Sequence, residues 1–295
     1  MRTSRETRAF LLLTLVTFVW AGLMPTGKIA LQSVPPLTIG AIRLTIGSCL
    51  LRLYMGRNPS HQVQWEPHLI GSFALLGFAG YLVGVGCSYY GLRLTTVTNA
   101  ALLNAAAPVS LALLSLIFLK ERLSSQATAG ILLSVIGVGI IVTRGSLEVM
   151  ANSEYNLGDL ILLATQISWG VYTIYGRHLM LRISPLAATT YTYMAGACWL
   201  IVASLILEWG QWHPTNTSLT SWIAIAYQTV FGTFAHFWFY DAVSTIGPSR
   251  AGIFLNLVPV MAIGIAYFFL HETITIPHLI GGGVVISGIL VATRR

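Results

Sequence analysis

The run LLNAAAPVSLALLSLIFLKERL, Leu102 to Leu123, places a proline inside an otherwise unbroken apolar stretch, and FLNLVPVMAIGIAYFFLHETI, Phe254 to Ile274, does the same. Pro259 follows Pro108 by 151 residues, and Glu272 follows Glu121 by the same 151. Aligned on the prolines without a gap, Val109, Phe118, Leu119, Gly130 and Gly137 match Val260, Phe269, Leu270, Gly281 and Gly288. Further upstream, Trp20, Gly27, Lys28, Pro36 and Leu37 correspond to Trp169, Gly176, Arg177, Pro185 and Leu186 at a separation of 149. The chain is written twice, with a two-residue difference in loop length.

Composition says in what solvent the two copies fold. Of 295 residues, 55% are hydrophobic and 8% charged, against about a quarter charged in soluble domains. An α-helix needs about 20 apolar residues to cross the hydrocarbon core. The sequence offers ten such runs, near 10–31, 37–54, 69–92, 98–119, 127–142, 157–175, 185–207, 222–242, 251–270 and 277–291. The short alternating strands of a barrel are not found. Each copy therefore holds five spans, and because five is odd the second copy enters from the opposite face. The expected fold is an all-α polytopic membrane protein with ten transmembrane helices in two inverted five-helix repeats, residues 1–148 and 149–295. In that architecture a substrate site lies near the midplane between the halves.

The opening MRTSRETRAFLLLTLVTFVW has the basic-then-apolar order of a secretory leader, but its apolar run is long and lacks a clear cleavage site, so a retained first helix is expected. A formal charge of +7 does not imply nucleic acid here, because in a membrane protein the placement of cations matters more than their sum. Arg2, Arg5, Arg8, Arg52, Arg57, Lys120, Arg122, Arg177, Arg182, Arg250, Arg294 and Arg295 fall on one side of alternating spans, and Arg93 and Arg144 on the other. Both termini are thus expected in the cytoplasm. Glu148, Glu154 and Asp159 read as residues of an external loop. Cys49, Cys87 and Cys198 fall inside spans, where they read as small packing residues.

Proline donates no backbone hydrogen bond and crowds the carbonyl four residues earlier, so Pro108 frees that of Asn104 and Pro259 that of Leu255. A freed carbonyl in hydrocarbon is costly and must face a helix, a polar side chain or a wet cavity. Asn104 and Asn256 share the helical face of their prolines. Either the prolines kink tightly packed helices and the amides join them, or both helices line a cavity and bend there. The recurrence of kink and amide together favours the second.

Trp20 shares a face with Met24, Gly27 and Lys28, and Trp169 shares one with Thr173 and Gly176, with Tyr172 and Tyr175 alongside. The paired indoles read either as a gate or as lipid-facing residues. Lys28 and Arg43 read best as snorkelling side chains near span ends; turned inward, either would attract a carboxylate or phosphate. Arg250 and its repeat partner Asn99 are candidates for the inner mouth of the cavity. His236 is either packing or a proton-coupling group. Glu121, Glu208, Asp241 and Glu272 all lie at span ends, which argues against an acidic coupling site, and Glu121 and Glu272 read as helix-end contacts. Gly80, Gly84, Gly130, Gly137, Gly281 and Gly288 permit close helix approach.

The repeated W…GK…PPLTIGAIR opening, the N…APVSLALLSLIFLKERL span and LNLVPVMAIGIAYFFLHET with its GGGVVISGILV tail resemble the EamA family of the drug/metabolite transporter superfamily over almost the whole chain. The resemblance implies export or facilitated movement of amino acids or related metabolites across a prokaryotic inner membrane, through a cavity lined by the first, third, fourth, sixth, eighth and ninth spans. Trp20, Tyr81, Asn104, Trp169, His236 and Asn256 are the cavity residues it implies. HETIT replaces a more usual basic-acidic pair, and Tyr172 and Tyr175 stand where small residues are frequent. Aromatic residues among the lining, with Tyr172 and Trp238 added, suit an amphipathic small molecule. The expected partners are that substrate and membrane lipid, with no nucleic acid, cofactor or metal, in a monomer or homodimer. An intramembrane enzyme is the alternative of another class, but HExxH, P-loop and GxSxG patterns are absent from the sequence. A passive channel is the nearer alternative, separable from a carrier by counterflow.

Overall fold

In hydrocarbon every backbone N–H and C=O must find its partner within the segment, and a run of apolar residues answers by coiling. The computed structural model describes residues 4–56, 66–105, 114, 125–146, 148, 155–180, 182–246 and 257–293. Its helices are α1 (Ser4–Ala30), α2 (Pro36–Gly56), α3 (Pro67–Leu94), α4 (Val97–Ala105), α5 (Ser125–Val142), α6 (Leu157–Met180), α7 (Pro185–Leu207), α8 (Leu219–Ile246), α9 (Leu257–Leu270) and α10 (Ile276–Thr293). Each coincides with one of the ten expected spans, though α4 is described only over its first turns. Proline opens α2, α3 and α7, where its missing N–H costs nothing. At α7 the Ser184 hydroxyl accepts from the Ala187 N–H at 3.2 Å, a cap for one of the unpaired donors.

The inversion is visible in how equivalent helices run. Gly40 of α2 lies against Leu200 of α7, and Gly47 against Tyr193, so the two are antiparallel. Gly137 of α5 abuts the Gly281 backbone of α10, and Gly288 abuts that of Gly130, with the Ser134 hydroxyl donating to the Val285 carbonyl at 3.3 Å between them. Helices that correspond in the two halves therefore point opposite ways. The remaining contacts obey the same exchange: α1 packs on α8 as α6 packs on α3, α1 on α9 as α6 on α4, and α3 on α7 as α8 on α2. The whole is an all-α polytopic membrane protein of two inverted five-helix repeats.

Outward faces are apolar, as lipid requires: Leu53, Ile206, Phe268 and Phe269 are all exposed. Cys49 and Cys198 are exposed too, so neither serves the interior packing expected of it. The helix α3 widens over Gly77–Cys87 into a π-helix of 11 residues, a geometry frequent at functional sites. Close approach requires glycine at two places there. A Cβ on Gly77 would stand 2.7 Å from the Gly196 nitrogen of α7, and one on Gly80 would strike the Tyr172 ring of α6.

Candidate substrate site between the two halves

Trp20 lies ten residues before the end of α1, about 15 Å at 1.5 Å per residue, and Trp169 twelve residues after the start of α6, about 18 Å. Those two helix ends share one face of the bundle, so the pseudo-equivalent indoles sit at similar depth, near the middle of a core about 30 Å thick. Both converge on His236 of α8, with ring centroids 5.2 Å away for Trp20 and 6.3 Å, stacked, for Trp169. Trp169 also meets Tyr172 edge-on at 5.1 Å and Tyr81 at 6.4 Å. The Tyr81 and Tyr172 hydroxyls are hydrogen-bonded at 3.0 Å. Tyr193 of α7 closes the group, 4.8 Å from Tyr81 and 6.0 Å from His236. The His236 Nδ1–H donates to the Gly232 carbonyl at 2.9 Å. Five of the aromatic residues singled out in the sequence are thus one cluster contributed by both halves, and the indoles pack inside the bundle. Tyr193 was missed; its Tyr-x-x-Gly spacing with Gly196 on one helix face gave little to distinguish it.

Two expected members point elsewhere. Trp238 stacks on Phe234 at 6.0 Å, on another side of α8, and Tyr175 is exposed. Each residue turns a helix by about 100°, so Trp238, two residues from His236, and Tyr175, six residues from Trp169, leave the face that carries the cluster.

Asn104 faces inward. Its amide nitrogen contacts the Met24 sulfur at 3.7 Å, and its oxygen accepts from the buried amide of Gln166, one turn before Trp169. The pair joins α4, α6 and α1. Pro259 is buried in the first turn of the described part of α9. Pro108, Arg250 and Asn256 lie outside the described residues.

Arg43 departs from expectation. It is 6% exposed and does not snorkel. Its Nη1 donates to the Tyr89 hydroxyl at 3.2 Å, and that hydroxyl donates in turn to the Gln228 side-chain oxygen of α8. A Cβ on Gly232 would lie 3.2 Å from Nη2, so glycine there leaves room for the guanidinium. The signal was in the sequence: Arg43 stands three residues after Gly40 and four before Gly47, on the small-residue stripe that packs against α7. Snorkelling fails because that face meets helices, not headgroups.

At the end of the bundle where α1 finishes, the halves are tied by carboxylates. Glu208 accepts from the Leu37 and Thr38 N–H groups at 2.9 and 2.8 Å, from the Thr38 hydroxyl at 2.8 Å and from Tyr90 at 3.0 Å. Glu272 repeats the device on α4, accepting from the Val97 and Thr98 N–H groups at 2.7 and 2.9 Å and from the Thr98 hydroxyl at 2.8 Å. Each carboxylate satisfies orphan donors of a helix start and sits at the positive end of its dipole. The helix-end role read for Glu272 is thus exercised on a helix of the other half. Lys28 caps from the opposite sense, donating to the Leu92 and Thr95 carbonyls at 2.8 and 2.5 Å.

Asp159 and Asn99 also correct the sequence reading. Asp159 is in the first turn of α6, fully buried, and accepts from the Thr95 hydroxyl at 2.5 Å and the Asn99 amide at 3.0 Å. The Asn99 oxygen meets His278 Nε2 at 2.7 Å. Asn99 therefore lies at the Lys28 end of the bundle, opposite the end where the described part of α8 finishes. In an inverted repeat, equivalent residues are expected at opposite faces, so a repeat partner gives Asn99 no claim to the inner mouth.

Chemically, the described residues of the middle of the bundle offer aromatic faces, amides and the Arg43 cation. The sequence model of the EamA-like transporter family matches residues 7–143 and again 156–294. An uncharacterized transporter of Bacillus subtilis, YyaM, is 32% identical over 226 residues, spanning 75% of this chain and 72% of its own length. A protein of Streptantibioticus cattleyicolor named "Probable terminal-alkyne amino-acid exporter" is 26% identical, with 97% of this chain and 92% of that one aligned. A solved crystal structure sharing 21% identity superposes with a TM-score of 0.66 over 99% of this chain and 97% of its own, a likeness of fold.

Proposed function

The chain belongs to the EamA-like transporter family, and we propose that it carries small metabolites, amino acids or related compounds, across a prokaryotic inner membrane by alternating access. The observation that carries this reading is the meeting of Trp20 from one half and Trp169 from the other on His236. A site built by both halves is reshaped whenever one rocks against the other. The ties of Glu208, Glu272 and Asp159 all cross between halves, so they form the gate that must part at the Lys28 end. The name of the Streptantibioticus relative supports amino acids as cargo. The cation distribution supports cytoplasmic termini, which puts the Lys28 end outside.

Counterflow in proteoliposomes tests the mechanism. Internal unlabelled substrate should accelerate entry of labelled substrate several-fold; equal rates with and without it would mean a channel. Among the described mid-bundle residues, His236 is the group suited to proton coupling. If transport is proton-driven, His236→Gln should abolish the dependence on an imposed pH gradient while leaving counterflow, and a gradient response that survives in the variant removes His236 from coupling.

A further inference from the structure

Buried polar atoms are nearly always paired, so those that are not deserve an account. Among the described residues four buried side-chain polar atoms have no hydrogen-bond partner: Trp20 Nε1, Arg43 Nε, Gln228 Nε2 and Thr233 Oγ1. They are gathered in one place. Arg43 and Gln228 are each one hydrogen bond from the Tyr89 hydroxyl. Gly232, beside Arg43 Nη2, also touches Leu23, one turn beyond Trp20. Three of the four are N–H donors with no capacity to accept.

Among the described residues the charge has no answer either. Arg43 is a buried cation in the middle of the bundle, and its described electrostatic neighbours are Tyr89, Tyr193, Tyr81 and His236, with no carboxylate among them. Glu208, Glu272 and Asp159 are engaged at the bundle's end. Glu66 and Glu148 are exposed. A desolvated guanidinium flanked by spare N–H donors complements an anion with acceptor oxygens, carboxylate or phosphate, and of the two it is carboxylate that the amino acids of the proposed cargo carry, in a geometry guanidinium matches.

We propose that Arg43, with the Gln228 amide beside it, anchors a carboxylate carried by the substrate, so that the protein selects carboxylic acids over their neutral amides. The inference rests on the transporter reading for the route by which the acid arrives, and adds the class of cargo. The remainder of the molecule then meets the aromatic cluster of Trp20, Trp169, Tyr81 and Tyr193. An α-ammonium group is accommodated there by ring faces and is not required.

Thermal unfolding of the purified full-length protein tests this with matched probes: acetate, benzoate, L-leucine and L-phenylalanine against acetamide, benzamide and the two amino-acid amides. At least one acid should raise the Tm saturably where its amide does not. Arg43→Gln should weaken that acid by at least about tenfold, the loss of one charged hydrogen bond, and Arg43→Lys should restore part of it. Stabilisation by no acid, equal stabilisation by acid and amide, or an unchanged response in Arg43→Gln each overturns the proposal. The acid–amide comparison needs only the wild-type protein, so a variant that fails to fold does not shelter the idea. Flux separates the two readings. Acid-specific binding without counterflow of the bound acid breaks the transporter reading and leaves the site, whereas a substrate carried equally by wild type and Arg43→Gln breaks the site and leaves the transporter.

Discussion

The end of the bundle and its middle treat polar groups in opposite ways. At the Lys28 end, Glu208 collects four donors and Glu272 three, and the buried Asp159 holds two more. In the middle, Arg43 makes one side-chain hydrogen bond and keeps Nε unpaired, and Gln228 uses its oxygen but not its nitrogen. Helix ends always carry unpaired N–H groups, and evolution here has met them with acids from the opposite half. Unmet donors in a packed interior cost stability. A chain that pairs its polar atoms so fully at one depth and leaves them unpaired at another is using the second set for something other than holding itself together.

The contrast breaks most readily at Glu208. Glu208→Ala strands two backbone N–H groups, the Thr38 hydroxyl and Tyr90 in a buried place. The expected loss is about 3 kcal/mol, measured by unfolding in detergent. Glu208→Gln, which keeps an acceptor oxygen, should cost about half as much. Glu272→Ala exposes three donors at a more accessible helix start and should cost about 2 kcal/mol. If either alanine variant unfolds like the wild type, the carboxylates are not the ties they look to be. Gly80→Ala addresses the middle through packing alone: the new methyl would meet the Tyr172 ring and displace it from Tyr81 and Trp169, for about 1–2 kcal/mol.

Much of this arrangement could be read from the sequence, and the exceptions share a cause. The ten spans, the doubling and the inversion follow from hydropathy and a repeat of apolar and proline positions, both local or one-dimensional signals. Pseudo-symmetry and the resemblance single out Trp20, Trp169 and His236 as lining residues with lipid-facing and packing roles left open, and their meeting on one another is seen only in the structure. What escaped was pairing across distance. Nothing near Glu208 in the chain announces that it caps a helix 170 residues earlier, and Asn99 was assigned a face by its repeat partner although inversion sends partners to opposite faces. Gln228 and Gln166 were passed over, though a buried amide in a transmembrane helix is itself a signal. The π-helix at Gly77–Cys87 reflects tertiary contact with α6 and α7 at glycines, which no helical period encodes.

Arg43 gives the smallest expected change and the sharpest one, because its sign is reversed. If the guanidinium were a structural tie like Glu208, replacing it would destabilise the protein. If it is held for a ligand, the empty protein bears the cost of a buried charge with one neutral partner, and an apolar side chain of similar length should relieve it. Replacement of buried charges by well-packed apolar residues is often stabilising. Arg43→Met should therefore raise the stability of the ligand-free protein by about 1 kcal/mol, while Tyr89 and Gln228 retain the hydrogen bond between them. Unfolding of wild type and variant without added acid measures this directly. A loss of 1 kcal/mol or more would place Arg43 with the carboxylates of the bundle's end and dissolve the difference between the two regions.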